Sequence, residues 1–335
     1  MIRSLQALRF YAAITIVIYH ACRQYNVKTG SYYLDLFLKE KLAFGVDIFF
    51  VISGFVIYYS FIGTRKKFYD FLFDRMVRVA PMYWLSTLIF SVMLILNHSL
   101  YPISEVNIYT FIKSLLFIPF ANLQGTYLPI HSVGWTLNFE VIFYAFFSFS
   151  ILITRRWVGL CSFLFIIGLF VISEYVPSMT FYHNTIMFEF ALGMFVAFLR
   201  KRYTKEYSIN TLYICAVLGL CLSVMLFGNI VDRLLFWGIP AFIMVLILVF
   251  FDNQIKTSAL LMLLGASSYS LYLLHRIVIS MMIWVFGVSG YSWFFIIFSI
   301  ALSLLFSIYS FKYIEKNITI KLKNKYYKRN LLRSN

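Results

Sequence analysis

Two residues that a membrane-spanning helix ordinarily excludes, Arg9 and His20, stand eleven positions apart in an apolar run from Leu5 to Cys22. At 100° and ~1.5 Å per residue, that spacing returns to within about 20° of the same helix face and separates the side chains by roughly 16 Å along the axis. They form one polar stripe. A charged or titratable group at bilayer depth costs about 2.5–3.5 kcal/mol or more, so it is expected to face a protein interior or a water-filled cavity. Each residue alone has a bland reading: the arginine snorkels to the surface, and the histidine is a hydrogen-bonded bundle residue. Sharing one face favours function, with a guanidinium suited to phosphate at one end and an imidazole able to move a proton at the other. Arg9 interrupts the apolar run and no small-residue cleavage pattern follows, so the segment is expected to remain in the protein and not to serve as a signal peptide.

Further candidates follow along the chain. Asp47 opens the second apolar run, at a depth expected to match His20, where a carboxylate would fix the imidazole tautomer and raise its basicity; an interfacial helix-start carboxylate is the competing reading. Arg75 and Arg78 are three apart and share a helix face at the mouth where Arg9 should also open. Three guanidiniums there would suit a polyphosphate, against the alternative of ordinary flanking charge. Thr136 and Glu140, beside Trp135, are at i,i+4 and so on one face; a buried glutamate needs a partner, and His20 or Asn138 lie at a suitable depth. Glu189 is a second carboxylate within an apolar run, equally readable as part of a structural ion pair. The stretch Gly265 to Arg276 is rich in Ser, Tyr and His, so its helix is expected to line a cavity, with His275 the rival of His20.

These residues must be positioned by a membrane fold. Hydrophobic residues make up 62% of 335 and charged residues only 13%, with a mean hydropathy of +0.84, too apolar for soluble domains of this length. Apolar windows fall at about 5–22, 42–62, 80–96, 135–153, 157–173, 184–199, 209–227, 234–251, 261–286 and 292–311, so the expectation is an all-α polytopic protein of about ten spans. The net charge of +16 does not point to nucleic acid, because the basic residues sit in short clusters between apolar runs. Arg65-Lys66-Lys67, Arg155-Arg156, Arg200-Lys201-Arg202 with Lys205, Lys256 and the tail from Lys312 to Arg333 occupy alternate connections. The first connection is the exception, holding Arg23, Lys28, Lys39 and Lys41 beside Asp35 and Glu40. By the positive-inside rule both termini are cytoplasmic. The longest outer connection, about 97–134, contains a short apolar piece, Phe111 to Phe120, expected to be re-entrant or interfacial and a candidate lid. Cys22, Cys161, Cys215 and Cys221 show no metal-ligand spacing and no disulfide framework. One membrane domain, residues 1–312, and a short basic tail, 313–335, are expected.

Together these stretches resemble the acyltransferase 3 family of integral-membrane acyltransferases. Arg9-x10-His20 is similar to the family's Arg-x10-His signature, and Gly45 to Phe55 resembles its Gly-x-Asp-x-Phe-Phe-x-x-Ser-Gly-Phe block. Arg75-x-x-Arg78 with Pro81, Trp135-Thr136-Leu137-x-x-Glu140-x-x-Phe143-Tyr144 and Ser268-Tyr269-x-x-Tyr272-Leu273-x-His275 resemble three more of its motifs, with Thr136 in place of the usual serine. The resemblance implies acyl-CoA, acetyl-CoA first, as donor, and His20 as the catalytic histidine. It implies a glycan acceptor such as O-antigen or another surface polysaccharide, in the cell inner membrane, without a metal. The pantetheine arm of CoA is about as long as the Arg9 to His20 separation, so phosphates held by Arg9, Arg75 and Arg78 would let the thioester reach His20. His20 would deprotonate an acceptor hydroxyl or be acylated itself, Glu140 or Asp47 would stabilise the imidazolium, and Thr136 or Tyr272 would donate to the oxyanion. Trp135, Tyr272 and His275 would line the acceptor site. A proton-coupled transporter or glycan flippase also needs intramembrane His, Glu and Arg, but with six prolines the chain shows no paired Gly/Pro-broken runs. A non-catalytic assembly protein would not need Arg9 and His20 in hydrocarbon.

Overall fold

The computed structural model describes residues 2–29, 41–101, 104–205, 208–228, 230–287 and 292–334. Asp35, Lys39 and Glu40, and the Lys28 side chain, lie outside what is described. Every apolar window forms helix: α1 (Arg3–Thr29), α2 (Gly45–Phe61), α3 (Phe68–Leu96), α5 (Trp135–Ile153), α6 (Val158–Tyr175), α7 (Met187–Arg202), α8 (Thr211–Phe227), α9 (Ile239–Phe250), α10 (Ala259–Ala266) with α11 (Ser268–Phe286), and α12 (Ser292–Ser310). Among the described residues no strand forms beyond one isolated bridge, Ala121 with Tyr127. This is the solution hydrocarbon imposes, because a helix satisfies its own backbone polar groups. Seven of the described helices are long and apolar enough to cross a membrane, with Thr211–Phe227 and Leu234–Phe250 apolar but shorter. Large apolar side chains such as Leu88, Val92, Ile95, Leu164, Phe294 and Ile297 point outward, as lipid-facing positions do.

The described residues divide into two compact units. The first, Met1–Lys66 with Ile153–Ser268, holds α1, α2 and α6 to α10. Its helices approach on glycines. A Cβ on Gly54 would come within 2.1 Å of the Phe190 carbonyl oxygen, and one on Gly193 within 2.0 Å of the Val51 carbonyl oxygen, so α2 and α7 cross backbone to backbone. Gly45 sits likewise against the Ala12 carbonyl of α1, and Gly265 of α10 against that of Gln6. The first turn of α1 is held by Asp252, whose carboxylate accepts from the Arg3 and Ser4 amides at 3.3 and 2.7 Å, an anion answering the orphan N–H groups of a helix start.

The second unit, Lys67–Leu152 with Tyr269–Asn335, holds α3, α5, α11 and α12, and the short α4 (Ile108–Leu115). The α3 helix starts twelve residues before its apolar window and carries Arg75, Arg78 and Pro81 without a break. The α4 helix turns its polar side inward: Thr110 and Ser114 are buried while Ile108, Tyr109 and Ile112 are exposed. Asn107 and Thr110 cap its start reciprocally, and Trp84 Nε1 donates to the Leu115 carbonyl at its end. That outward apolar face is the one an interfacial helix presents. After α12 the chain passes through a π-helical turn, Phe311–Glu315, into α13 (Lys316–Ser334), so the basic tail is a helix. It lies along α3: Tyr326 stacks on Phe73 and donates to Asp70, and Lys323 Nζ is 3.0 Å from Asp74.

Candidate functional site

Arg9 and His20 lie on one uninterrupted helix, α1, and both side chains are partly exposed. The ring of His20 tilts against Tyr19, centroids 4.8 Å apart. The eleven-residue spacing is therefore three turns of real helix, and the ~16 Å axial separation follows from it.

Asp47 is placed differently from expectation. Gly45 faces Ala12, Thr15 and Ile16, so the start of α2 meets the middle of α1, and His20 lies four to eight residues, roughly 6–12 Å of helix rise, farther along. Asp47 is also turned away. Seven residues separate it from Gly54, so the two share a face to within about 20°. That face packs on α7, whereas the nine residues between Gly45 and Gly54 put the α1 contact about 180° away. Asp47 is fully buried there and receives both arms of Arg233, Nε to Oδ1 and Nη2 to Oδ2, each at 2.8 Å. Glu189, also fully buried, belongs to the same cluster and feels the charges of both Asp47 and Arg233. The expected match in depth between Asp47 and His20 gives way to a buried bidentate pair with a residue outside any recognised motif.

In the second unit Arg75, beside Phe71, is the guanidinium whose charge acts on Glu140, and Tyr144 Oη donates to Glu140 at 2.5 Å. Glu140 is thus bonded within its own helix and feels the Arg75 charge from α3. Arg78 donates to Glu315 Oε1 at 2.5 Å; Glu315 is buried and accepts from Ser270 on its other oxygen at 2.7 Å. Arg78 therefore joins α3 to the π-helical turn, while about a third of its side chain remains exposed. Thr136 and Tyr272 meet at 2.8 Å; the Tyr272 hydroxyl donates to the Val133 carbonyl at 2.9 Å, and Thr136 reaches the same carbonyl at 3.1 Å. The Tyr272 hydroxyl thereby fastens α11 to the turn that starts α5, beside Thr136. Trp135 stands half-buried, edge-on to Phe139. His275 is fully buried and its Nδ1 approaches the Leu271 carbonyl at 3.1 Å, the partner of a bundle histidine. His131 is held in the same way, its Nε2 2.9 Å from the Leu273 carbonyl.

The sequence reading did not identify Arg233, Glu315 or Arg276; the last is a buried arginine lying over the Tyr101 ring at 4.4 Å. A signal was available for two of them, since Arg276 lies within an apolar run as Arg9 does and Arg233 borders one. Among the described residues no group of three or more His, Cys, Asp or Glu is assembled that could hold a metal ion.

Residues 2–312 match a family described as an acyltransferase domain, the acyltransferase 3 family. The chain is 32% identical over 249 residues to the exopolysaccharide production protein ExoZ of Rhizobium meliloti (strain 1021), an alignment covering 71% of this chain and 77% of that protein. No solved structure matches it.

Proposed function

From the premise that this chain belongs to the acyltransferase 3 family, as a multi-pass membrane protein, we propose that it moves an acetyl group from acetyl-CoA to a hydroxyl of an envelope polysaccharide. An exopolysaccharide, after the printed name of the relative, or an O-antigen is the acceptor, and the cell inner membrane is the location. The observation that carries the reading is the single helix α1, with a cation at one end of a polar stripe and an imidazole three turns away.

In this mechanism His20 accepts the proton of the acceptor hydroxyl as its oxygen attacks the thioester carbonyl. The carbon–sulfur bond then breaks, and the leaving thiolate takes the proton back from the imidazolium. Arg9 holds a donor phosphate. Arg75 and Arg78 are assigned to the same donor, Arg78 in competition with Glu315. Asp47 is assigned a positioning role, holding α2 through Arg233, and Trp135, Tyr272 and His275 shape and support the acceptor side.

Membranes supplied with radiolabelled acetyl-CoA should transfer label to polysaccharide with this chain and not with His20→Ala at equal expression. Label that stays in the donor, with polysaccharide moving across the membrane, would instead make the chain a transporter. Both termini are assigned to the cytoplasm; reporter fusions at Lys205 and Lys323 should both give a cytoplasmic signal, and an external signal at either overturns that orientation.

A further inference from the structure

The first unit contains a cavity of ≈ 410 Å³ at the C-terminal end of α2, which the acyl-transfer reading does not use. Four cations line it, Arg155 and Arg156 before α6, and Lys201 and Arg202 at the end of α7, with no carboxylate among its lining residues. Apart from Thr64, its other walls are apolar or aromatic, including Tyr58, Phe61 and Phe198. We propose that this cavity binds a phosphate-bearing ligand, the phosphate held by the four cations and an adjoining apolar or aromatic group held against Tyr58, Phe61 and Phe198.

Topogenic charge explains why Lys and Arg occur in these connections, but not why they close around one concavity. Lys201 and Arg202 end a helix, where cations are favoured. Arg155 and Arg156 precede a helix start, where cations are disfavoured unless an anion accompanies them, and Val158, the first residue of α6, lines the cavity. Several contacts preorganise the walls. The Arg155 guanidinium lies over the Phe61 ring at 5.6 Å and donates to the Lys66 carbonyl, Lys201 Nζ lies over Tyr59 at 4.6 Å, and Gly159 brings α6 against the Tyr58 ring. The turn that makes the rim needs Gly63, at φ +84°.

The volume exceeds what a lone phosphate fills and falls in the range of small-molecule sites. A phosphate beside an aromatic base and a phosphate beside acyl chains share this chemistry, so a nucleotide and an anionic lipid are its two sources. The site depends on this unit alone and stands whether or not His20 performs acyl transfer.

The test uses the full-length protein purified in a neutral detergent, with two probes: adenosine 3′,5′-bisphosphate, and nanodiscs of phosphatidylglycerol compared with phosphatidylcholine. The variant Lys201→Gln/Arg202→Gln changes exposed residues and leaves the helix crossings intact; Lys325→Gln/Lys328→Gln removes the same charge elsewhere. The expected result is binding of at least one probe, weakened about tenfold or more in the cavity variant, because each charge-assisted bond to phosphate is strong, and unchanged in the control. Nucleotide binding that the cavity variant weakens names a nucleotide as the source, and a preference for phosphatidylglycerol alone that the variant removes names a lipid headgroup. Binding of neither probe, or equal weakening in cavity variant and control, overturns the proposal.

Discussion

Replacing Arg233 with methionine would leave a fully buried Asp47 carboxylate without the guanidinium that donates to both its oxygens at 2.8 Å. Removing one partner of a buried pair costs about 3–5 kcal/mol, because the surviving charge stays desolvated. The Arg233 side chain keeps 22% of its exposure, so water can reach the gap and the low end, about 3 kcal/mol, applies. At 1.36 kcal/mol per decade that is a loss of roughly 150-fold in the ratio of folded to unfolded protein. Taking about 2–4 °C per kcal/mol, the midpoint of thermal unfolding should fall by about 6–12 °C in detergent, followed by intrinsic fluorescence. The double variant Asp47→Leu with Arg233→Met removes both charges of the pair and should recover part of that loss, as buried pairs replaced by apolar groups do, the remainder staying with the buried Glu189 that both residues neighbour. It should also keep acyl transfer within about tenfold of the unaltered protein, since Asp47 is assigned to holding α2. An unmoved midpoint in Arg233→Met would refute the buried-pair reasoning. A double variant that is stable yet inactive would return Asp47 to the chemistry.

Three other outcomes are expected. His20→Ala should lose transfer by ~10²–10⁴-fold at equal folded amount, as loss of a general base does, while His275→Ala should lose activity only in proportion to folded protein; the reverse ranking in the radiolabel assay would exchange the two assignments. Glu315→Gln weakens the tie on Arg78 and should tighten acetyl-CoA binding by about three- to tenfold, the worth of roughly one charge-assisted hydrogen bond partly released, whereas unchanged affinity by calorimetry would confine Arg78 to joining α3 and the π-helical turn. Gly193→Ala puts a Cβ 2.0 Å from the Val51 carbonyl and should cost about 1–3 kcal/mol in thermal unfolding by overpacking; a midpoint like that of the unaltered protein would mean that α2 and α7 can separate without penalty.

The all-helical membrane architecture was legible because it follows from one-dimensional quantities, the length and apolarity of runs. So was the continuity of α1, on which the Arg9 to His20 argument depends. Partners of buried charges were harder to see. Glu315 comes in a basic stretch, and only the continuation of α12 through a π-helical turn brings it to Arg78 and Ser270. Charge composition marks such a stretch as tail, whereas its helix docks along α3 through Tyr326 and Lys323. The apolar piece Phe111 to Phe120 did not show where its helix would begin and end, Ile108–Leu115, nor that Thr110 and Ser114 would face inward, because which side of a short helix meets the protein depends on what surrounds it.

The placement of Asp47, by contrast, could have been read from spacing. The block Gly45 to Phe55 presents two glycines nine apart, hence on opposite faces of α2, so the helix can be approached closely from two sides. One side meets α1 at Ala12, and the other meets α7 at Phe190. Asp47, seven residues before Gly54, must lie on the second side, with α7 and Arg233, and away from the side that α1 occupies. A carboxylate chosen for its depth alone can be paired with the wrong helix, because depth fixes one coordinate and the helical angle fixes the other. The same test applied to Arg9 and His20 leaves them on one face. For that reason the functional assignment rests on that pair, with Asp47 supporting the α2 helix that packs against α1.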